Sequence, residues 1–413
     1  MAIFGLTKKE VSWVLYDVGN SAFVMLSAAL IPIYFSSLAE PGSSVVVAWG
    51  YAETVASLIL ALLMPVLGSL ADLAGNKKKF LVGFAGTGAV ACAALGVPEH
   101  ALAFLVVYVV AAIMLNGSMV FYDAFLVDAT TEDRYDLVSS HGYAWGYIGS
   151  CIPFIACLAV VLAGPSAGIP ADLGMKIAFV ITAVWWIAFT IPVARNVHQT
   201  HAKPRGTRVL RDTFAGLART MGSIARDKRL LFFMLAFFFY IDGVHTVIKM
   251  STSYGTELGI DSTQLVLALL VTQFVAFPSA IAYGRLAQRF GTRHMLMVGT
   301  LAYFCIVLFA AFFLRSAVEF WILAICVGLF QGGIQALSRS EYGKLIPKEN
   351  ANEYYGFFDI FGKYAAVMGT LLVSVFTQIT GNASYGVLSI AVLFVVGFVL
   401  LHAMGSRPAA EQG

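Results

Sequence analysis

Three ionisable side chains share one helical face inside an otherwise apolar segment. Asp242, His245 and Lys249 follow one another at spacings of three and four residues within LLFFMLAFFFYIDGVHTVIKM. A helix places all three in one row. A charged group at bilayer depth costs at least about 2.5–3.5 kcal/mol, so such groups face a cavity or a partner. We expect Asp242 to meet a solute or a proton, and His245 to titrate near neutral pH or to make a helix–helix hydrogen bond.

The composition places the chain in a membrane. Of its 413 residues, 59% are hydrophobic and 12% are charged, whereas soluble domains carry about 25% charged residues. The first ten residues include two lysines, and the first apolar run is too long for a signal core, so we expect no cleavable signal. The sequence therefore predicts a polytopic membrane protein.

Motifs typical of enzymes and of metal or nucleotide sites are missing from the sequence. It has no P-loop, no nucleophile elbow and no His/Cys set at metal-ligand spacing. Its five cysteines fall in apolar runs, where small core residues are expected. We therefore expect no enzyme activity, no cofactor, no metal and no nucleic-acid partner.

Apolar runs of about 20 residues predict the membrane-spanning helices. The longest connection separates an N-terminal bundle (1–195) from a C-terminal bundle (230–413) and forms a linker (196–229). The predicted fold is an all-α membrane protein of two pseudo-symmetric six-helix bundles. Its twelve spans are expected at 12–37, 46–71, 79–97, 101–126, 138–163, 174–194, 230–253, 263–286, 294–314, 317–343, 353–379 and 383–404.

Lysine and arginine placement predicts the orientation. With both termini in the cytoplasm, 21 of the 26 basic residues fall on the cytoplasmic side, three lie within spans, and only Lys176 and Arg315 fall outside. If the protein is bacterial, the membrane would be the plasma (inner) membrane. We expect a monomer in contact with membrane lipids.

The two halves repeat a short glycine-containing loop. GSLADLAGNKKKF (Gly68–Phe80) follows span 2, GRLAQRFGTRHML (Gly284–Leu296) follows span 8, and both contain G-x-L-A-x-x-x-G. Two six-helix repeats suit an alternating-access transporter, in which each half moves as a body around a shared site.

The first loop resembles the signature loop of the major facilitator superfamily, although Leu73 and Asn76 replace its usual basic residues and Gln288 replaces the aspartate in the second copy. Further segments resemble the vacuolar amino-acid effluxer-like branch of that superfamily. These are WVLYDVGNSAF (Trp13–Phe23), FYDAFLVD (Phe121–Asp128), SSHGYAWGYIG (Ser139–Gly149), FYIDGVHT (Phe239–Thr246) and QALSRSEYGKLIPKENANEYYGFFDIFGK (Gln335–Lys363).

The resemblance implies a twelve-helix transporter fold and a gating role for Asp72. Eukaryotic members of the branch are associated with autophagy and with amino-acid release from vacuoles. Asp123 stands where the branch usually has Asn, which adds a negative charge near the implied pathway. The resemblance also implies that spans 1, 4, 7 and 10 line a central cavity, and these spans contain most of the buried ionisable residues.

Depth along the predicted helices sorts these residues into layers. The inner third combines acids of the first half with bases of the second, which predicts an inner gate closed by salt bridges. The alternative for Asp359 and Lys363, which are four residues apart on one helix face, is that they pair only with each other and take no part in a gate. The inner group is Asp17, Asn20, Tyr122, Asp123, His141, Arg339, Asp359 and Lys363, with Tyr16 among the aromatic residues that a solute's ammonium group would contact.

Nearer the predicted outer face, Glu53 and Lys249 lie at similar depth. One expectation is that they contact each other across the halves as part of the gate. The alternative is that the Glu53 side chain extends to the outer interface. Near the midplane, Gly243 is expected to let the helix unwind beside Asp242 and expose backbone carbonyls.

The linker contains an amphipathic pattern. Apolar residues recur at helical spacing with arginines between them, which predicts a helix on the cytoplasmic membrane face. It serves either as a tether or as a regulatory or partner-binding element. The apolar residues are Leu210, Phe214, Leu217, Met221 and Ile224.

Three functions remain open from the sequence. The first is a proton-linked secondary transporter, by symport or antiport, of a small polar or zwitterionic solute such as an amino acid. The second is a flippase for a lipid or lipid-linked solute on the same fold, which would need apolar cavity walls. The third is a receptor or scaffold on a degenerate transporter fold, against which the preserved loop at Gly68 argues.

Overall fold

The computed structural model describes residues 5–39, 45–204 and 209–405. Within these ranges the regular structure is helical, with one isolated parallel bridge between Leu73 and Lys203. The α-helices are α1 (Lys8–Leu38), α2 (Val45–Ala71), α3 (Lys77–Ala94), α4 (Ala101–Ala124), α5 (Leu126–Ala129), α6 (Tyr135–Ala163), α7 (Ala171–Asn196), α8 (Val209–Arg226), α9 (Lys228–Glu257), α10 (Ser262–Phe290), α11 (Thr292–Phe313), α12 (Ala317–Leu345), α13 (Ala351–Thr380), α14 (Ala383–Ser389) and α15 (Ala391–Ala403).

Ten helical segments of the described chain are long and apolar enough to cross a membrane. The twelve predicted spans all fall on helices. Helix α3 begins with three lysines, and the described part of α13 includes a shorter apolar helix over Met368–Thr380. The last span is formed by α14 and α15 together.

The chain forms two compact units. The first contains residues 1–131, 145–217 and 347–356, and the second contains 132–144, 218–346 and 357–413. The first turns of α6 and α13 therefore pack in the unit opposite to the one expected from their place in the sequence. In each case the helix start packs against a copy of the glycine-containing loop, as described below.

Helix packing repeats between the units. In the first unit α1 packs on α7 and α3 packs on α4; in the second unit α9 packs on α15 and α11 packs on α12. These pairs correspond under the sequence repeat, so the internal repeat extends from the loop to the helix neighbours.

Helix ends and the linker follow the local sequence. Thr7 and Glu10 form a capping box at the start of α1, where each side chain bonds the backbone N–H of the other. The linker contains α8, and its predicted place on the cytoplasmic membrane face stays a prediction. Of the predicted apolar stripe, Ile224 is buried and Met221 is exposed, while the side chains of Leu210 and Phe214 lie outside the described part of the chain.

Candidate functional site

The Asp242 carboxylate is fully buried in the middle of α9. Its Oδ1 accepts hydrogen bonds from the backbone N–H of Gly369 on α13 at 2.9 Å and from Thr246 Oγ1 at 3.3 Å. Its Oδ2 has no hydrogen-bond partner among the residues that the structure describes. A Cβ on Gly369 would lie 2.7 Å from Oδ1, so the glycine makes room for this carboxylate.

The rest of the α9 row is less buried. His245 is half-buried and Lys249 is exposed, about 10 Å along the helix from Asp242. Within the described residues, no carboxylate pairs with Lys249. The expectation for Gly243 is wrong: α9 continues through it, and a Cβ there would lie 2.5 Å from the Phe394 ring. Gly243 thus allows close helix packing.

A second polar cluster joins α1 to α4 in the first unit. Tyr122 Oη donates to Asp17 Oδ2 at 3.1 Å, and Tyr16 Oη donates to Ser118 Oγ at 2.6 Å. The Trp13 ring stacks on Tyr122 with centroids 4.4 Å apart. The structure therefore brings Asp17, Tyr16 and Tyr122 together, and their role in a cavity stays a prediction.

The other predicted residues of the first unit lie around this cluster or apart from it. Asn20 is buried and donates to the carbonyl of Tyr16 at 2.9 Å. Asp123 is half-buried next to Tyr122. Glu53 is exposed on α2 and accepts a hydrogen bond from Tyr108 Oη. Its predicted contact with Lys249 stays a prediction.

The loop between α2 and α3 holds the start of α13, a contact that we call the first junction. Asp72 Oδ1 accepts from the backbone N–H and the Nδ2 of Asn352 at 2.9 and 2.7 Å, and Oδ2 accepts from the Glu353 N–H at 3.0 Å. These N–H groups belong to the first turn of α13, which has no intrahelical partners for them. Gly68 permits the approach, because a Cβ there would lie 2.5 Å from the Asn352 carbonyl oxygen.

Two carboxylates near this junction have opposite pKa shifts. Burial raises the pKa of Asp72 to about 6, although Lys77 and Lys203 oppose the shift. For Asp128, burial acts in the same direction, but the Lys77 ammonium at 2.7 Å and hydrogen bonds from Thr200 and His201 outweigh it and hold its pKa below the usual range.

A second junction joins α6 to α10, α11 and α12. Asp136 accepts hydrogen bonds from Thr292 Oγ1 at 2.8 Å, from Lys344 Nζ at 2.7 Å and from Ser340 Oγ. Gly284 lies against it, since a Cβ there would be 2.6 Å from Ser140 Cβ and 3.0 Å from the Asp136 carbonyl oxygen.

Arg339 is buried in the second unit. Its Nε donates to Ser139 Oγ and its Nη2 donates to the Ser139 carbonyl, both at 2.9 Å. Its guanidinium lies over the Tyr143 ring, 4.5 Å from the centroid. Asp359 is half-buried, and the Lys363 side chain lies outside the described part of the chain, so their pairing stays a prediction.

Sequence reasoning missed several residues of the two junctions. Asp136 and Lys344 form a pair of a first-half acid and a second-half base, the kind expected at the inner gate, but with other residues. Asp136 stands in the polar run TTEDRYD before an apolar segment, where a helix-start acid was the only available signal. For Asn352, Glu353 and Lys203 the sequence contains no such signal. In the described chain, no group of His, Cys, Asp or Glu could hold a metal ion.

Comparisons with known proteins find similarity along nearly the whole chain. A family model described as "Vacuole effluxer Atg22 like" matches residues 43–132 and 127–412. The uncharacterized MFS-type transporter YxiO of Bacillus subtilis strain 168 is 47% identical over 404 residues, covering 96% of this chain and 94% of the relative. Autophagy-related protein 22 of Cryptococcus neoformans var. neoformans serotype D is 26% identical over 297 residues, covering 67% of this chain and 51% of the relative. The chain thus spans about half the length of this fungal relative.

Solved structures show the same architecture. The major facilitator superfamily transporter FucP in the outward conformation has a TM-score of 0.74 at 14% identity, covering 97% of this chain and 99% of that one. The proton:xylose symporter XylE has a TM-score of 0.73 at 10% identity, covering 96% of this chain and 94% of that one. At these identities the likeness shows the fold, which is the major facilitator fold predicted from the sequence.

Proposed function

Because the chain belongs to the vacuole effluxer Atg22-like family of major facilitator transporters, we propose that it is a proton-coupled secondary transporter of a small zwitterionic solute, with amino acids as the favoured class. It is a multi-pass membrane protein and a transporter, not an enzyme. The proposal adds the coupling ion, the solute class and the mechanism, and it places both termini in the cytoplasm.

The observation that carries the proposal is the buried Asp242 carboxylate. A fully buried charge without a compensating partner is costly, so such a group takes up a proton or binds a cation. Its Oδ1 receives hydrogen bonds from an N–H and an O–H, and a backbone N–H does not ligate a metal ion. The unpartnered Oδ2 is then the oxygen that holds the proton. This arrangement favours a proton over sodium as the coupling ion.

The remaining polar side chains support a zwitterionic solute. Lys249 is exposed and unpaired among the described residues, so its ammonium group is available to a carboxylate. In the first unit, Asp17 beside the buried Trp13–Tyr122 stack offers a carboxylate in an aromatic environment, which suits an ammonium group. A solute with both charges would use both kinds of group.

The two junctions are proposed to be the gate for alternating access. Each joins a loop copy to the first turn of a helix that belongs to the other half of the sequence. Opening and re-forming these contacts would therefore accompany any movement of one half relative to the other. Arg339 contributes through Ser139 and Tyr143.

A ligand screen followed by transport assays tests the proposal. Purified protein is screened by thermal shift against the twenty common amino acids, since a ligand that binds the folded state raises the melting temperature. Radiolabelled hits are then assayed in proteoliposomes. We expect accumulation driven by a pH gradient, which Asp242→Asn abolishes while counterflow exchange continues.

Asp17→Asn is the matched control, because it removes a buried carboxylate without removing the proposed proton site. It should weaken solute affinity and leave the dependence on the pH gradient. Accumulation by Asp242→Asn equal to that of the natural protein would refute the assigned role. If no amino acid binds and fluorescent phospholipid crosses the proteoliposome membrane instead, the flippase alternative holds.

A further inference from the structure

The chain after α7 turns back along the first junction. One side chain there, Gln199, contacts backbone groups on both sides of the loop. Its Oε1 accepts from the N–H groups of Gly75 at 3.0 Å and Lys77 at 3.3 Å, while its Nε2 donates to the carbonyls of Ala71 at 3.3 Å and Asp72 at 3.1 Å. Ala71 ends α2 and Lys77 begins α3, so Gln199 satisfies backbone groups that the helix ends leave unpaired.

The backbone of the same segment is also bonded to the loop. The Lys203 N–H donates to the Asp72 carbonyl at 2.8 Å, and the Lys203 carbonyl accepts from the Ala74 N–H at 3.3 Å. Between these contacts, Asp128 Oδ1 accepts from the N–H and Oγ1 of Thr200, both at 2.7 Å, and from the His201 N–H at 2.9 Å. The segment 199–203 is therefore bonded to the loop at both of its ends and to Asp128 of α5 between them.

The Lys203 side chain then reaches the start of α13. Its Nζ lies 2.6 Å from Glu353 Oε2 and 3.9 Å from Asp72 Oδ2. The Glu353 side chain is fully buried, and its Oε1 has no hydrogen-bond partner within the described ranges. No other cation pairs with Glu353 in the described chain, so Lys203 is what compensates a buried negative charge in the first turn of α13.

We propose that residues 199–203, which we call the linker strap, are a working part of the gate, and that Lys203 is a positioning residue for transport. By pairing with Glu353, its ammonium group holds the first turn of α13 on the loop that carries Asp72. The linker is then more than a tether, because the state of its first residues determines how readily the first junction opens. This inference rests on the gating role proposed above for the junctions.

The mechanism follows from the cost of an unpaired buried charge. Without the Lys203 ammonium, Glu353 is left charged and without a cation in a closed junction, whereas an open junction exposes it to water. Loss of the amine therefore favours the open junction. Loss of both charges removes the penalty, so a neutral residue at 353 should compensate for a neutral residue at 203.

Cysteine labelling tests the strap without a solute or a proton gradient. Ser69, which is buried beside Gly68, is replaced by cysteine in full-length protein whose five natural cysteines are changed to alanine. The rate of maleimide labelling in nanodiscs reports opening of the junction. We expect Lys203→Met to raise this rate at least about tenfold. Lys203→Arg, which keeps the positive charge, should leave the rate at its starting value, and Lys203→Met combined with Glu353→Gln should return it to that value.

Lys79→Met is the matched control, since Lys79 is an exposed lysine of the same region and its loss should leave the rate unchanged. Gln199→Ala gives a second route if Lys203→Met does not fold, and it should raise the rate several-fold. Labelling of Lys203→Met at the control rate would overturn the proposal, and so would a raised rate that Glu353→Gln does not reverse. Because no solute is needed, these results are independent of the role of Asp242.

Discussion

At the first junction the carboxylate that accepts the hydrogen bonds between loop and helix lies in the loop, whereas at the second junction it lies in the docking helix. Asp72 lies in the loop and accepts from the first turn of α13. In the second loop copy Gln288 stands in its place, and the acid is Asp136 at the start of α6, which accepts from Thr292 and Lys344. The accepting acid therefore lies on opposite partners in the two repeats.

The backbone contact, by contrast, is shared. Gly68 in α2 lies against the Asn352 carbonyl, and Gly284 in α10 lies against Ser140 and the Asp136 carbonyl. Both are the first glycine of the repeated G-x-L-A-x-x-x-G pattern. The comparison indicates that the repeat preserves a close helix approach, which only glycine permits, while either partner can supply the acid.

Added side chains at the two glycines should give the largest effects and distinguish the junctions. Gly68→Ala places a Cβ 2.5 Å from a backbone carbonyl oxygen, which cannot move away without the helix, whereas at Gly284 the nearest atoms belong to the Ser140 side chain. Overpacking of this kind costs about 1–3 kcal/mol. We expect Gly68→Ala to increase Ser69 cysteine labelling about tenfold or more and to abolish transport.

The second glycine offers a rescue that the first does not. Gly284→Ala should also impair transport, and Ser140→Gly in the same chain should restore most of it by removing the atoms in contact. Gly83→Ala is the control, because a Cβ there meets nothing within 4 Å. Failure of Ser140→Gly to rescue would mean that the Asp136 carbonyl, and not the side chain, limits the approach at Gly284.

Neutralising each acid should give intermediate and unequal effects. Asp136→Asn leaves the Lys344 ammonium without its carboxylate, at a cost of up to about 3 kcal/mol for a partly buried pair. Asp72→Asn loses hydrogen bonds that come mainly from neutral donors, at about 1–2 kcal/mol. We expect a larger fall in melting temperature in detergent for Asp136→Asn than for Asp72→Asn.

A second substitution checks the cause of that difference. Lys344→Met should recover stability in the Asp136→Asn chain, because it removes the charge that has lost its carboxylate. Asp133→Asn should be neutral, since Asp133 is exposed near the same junction. Equal effects of the two acid substitutions would show that the reversed polarity of the junctions has no energetic consequence.

The architecture followed from the sequence because hydrophobic length and the loop repeat are local signals. The burial of Asp242 was predictable for the same reason, since a lone acid inside an apolar helix must face a cavity or a partner. Gly243 shows the limit. Its neighbour Phe394 is far away in the sequence, and from local sequence a packing glycine looks the same as a hinge.

The junctions were only half predictable. The loop copies were visible as a repeat, but their partners lie in short polar stretches at helix starts, where charged residues are usually solvated. Asp136 and Glu353 are acids of that kind, and only the fold reveals that they are buried. The strap residue Lys203 lies in a polar linker, where nothing local marks a lysine that pairs with a carboxylate 150 residues away.

The smallest expected effect compares Asp72 with Asp128 as a function of pH. The folded pKa of Asp72 is raised to about 6 from an ordinary value of about 4, so its contribution to stability is greatest at low pH and is lost as the pH rises from about 4 to about 6. The pKa shift of Asp128 has the opposite sign. Its pKa is lowered, so its contribution is present above about 4 and is lost only below that value.

Melting temperatures measured between pH 4.5 and 7 separate the two. As the pH rises, the melting temperature of the natural protein should fall relative to that of Asp72→Asn. The difference in melting temperature between the natural protein and Asp128→Asn should stay constant, because Asp128 titrates below this window. An Asp72 difference that instead favours the natural protein more at pH 7 would mean that the donors of Asn352 and Glu353, with Lys203, outweigh burial. The first junction would then depend on an ionised acid, as the second does with Asp136 and Lys344. The two junctions would then differ only in whether the loop or the docking helix carries the acid.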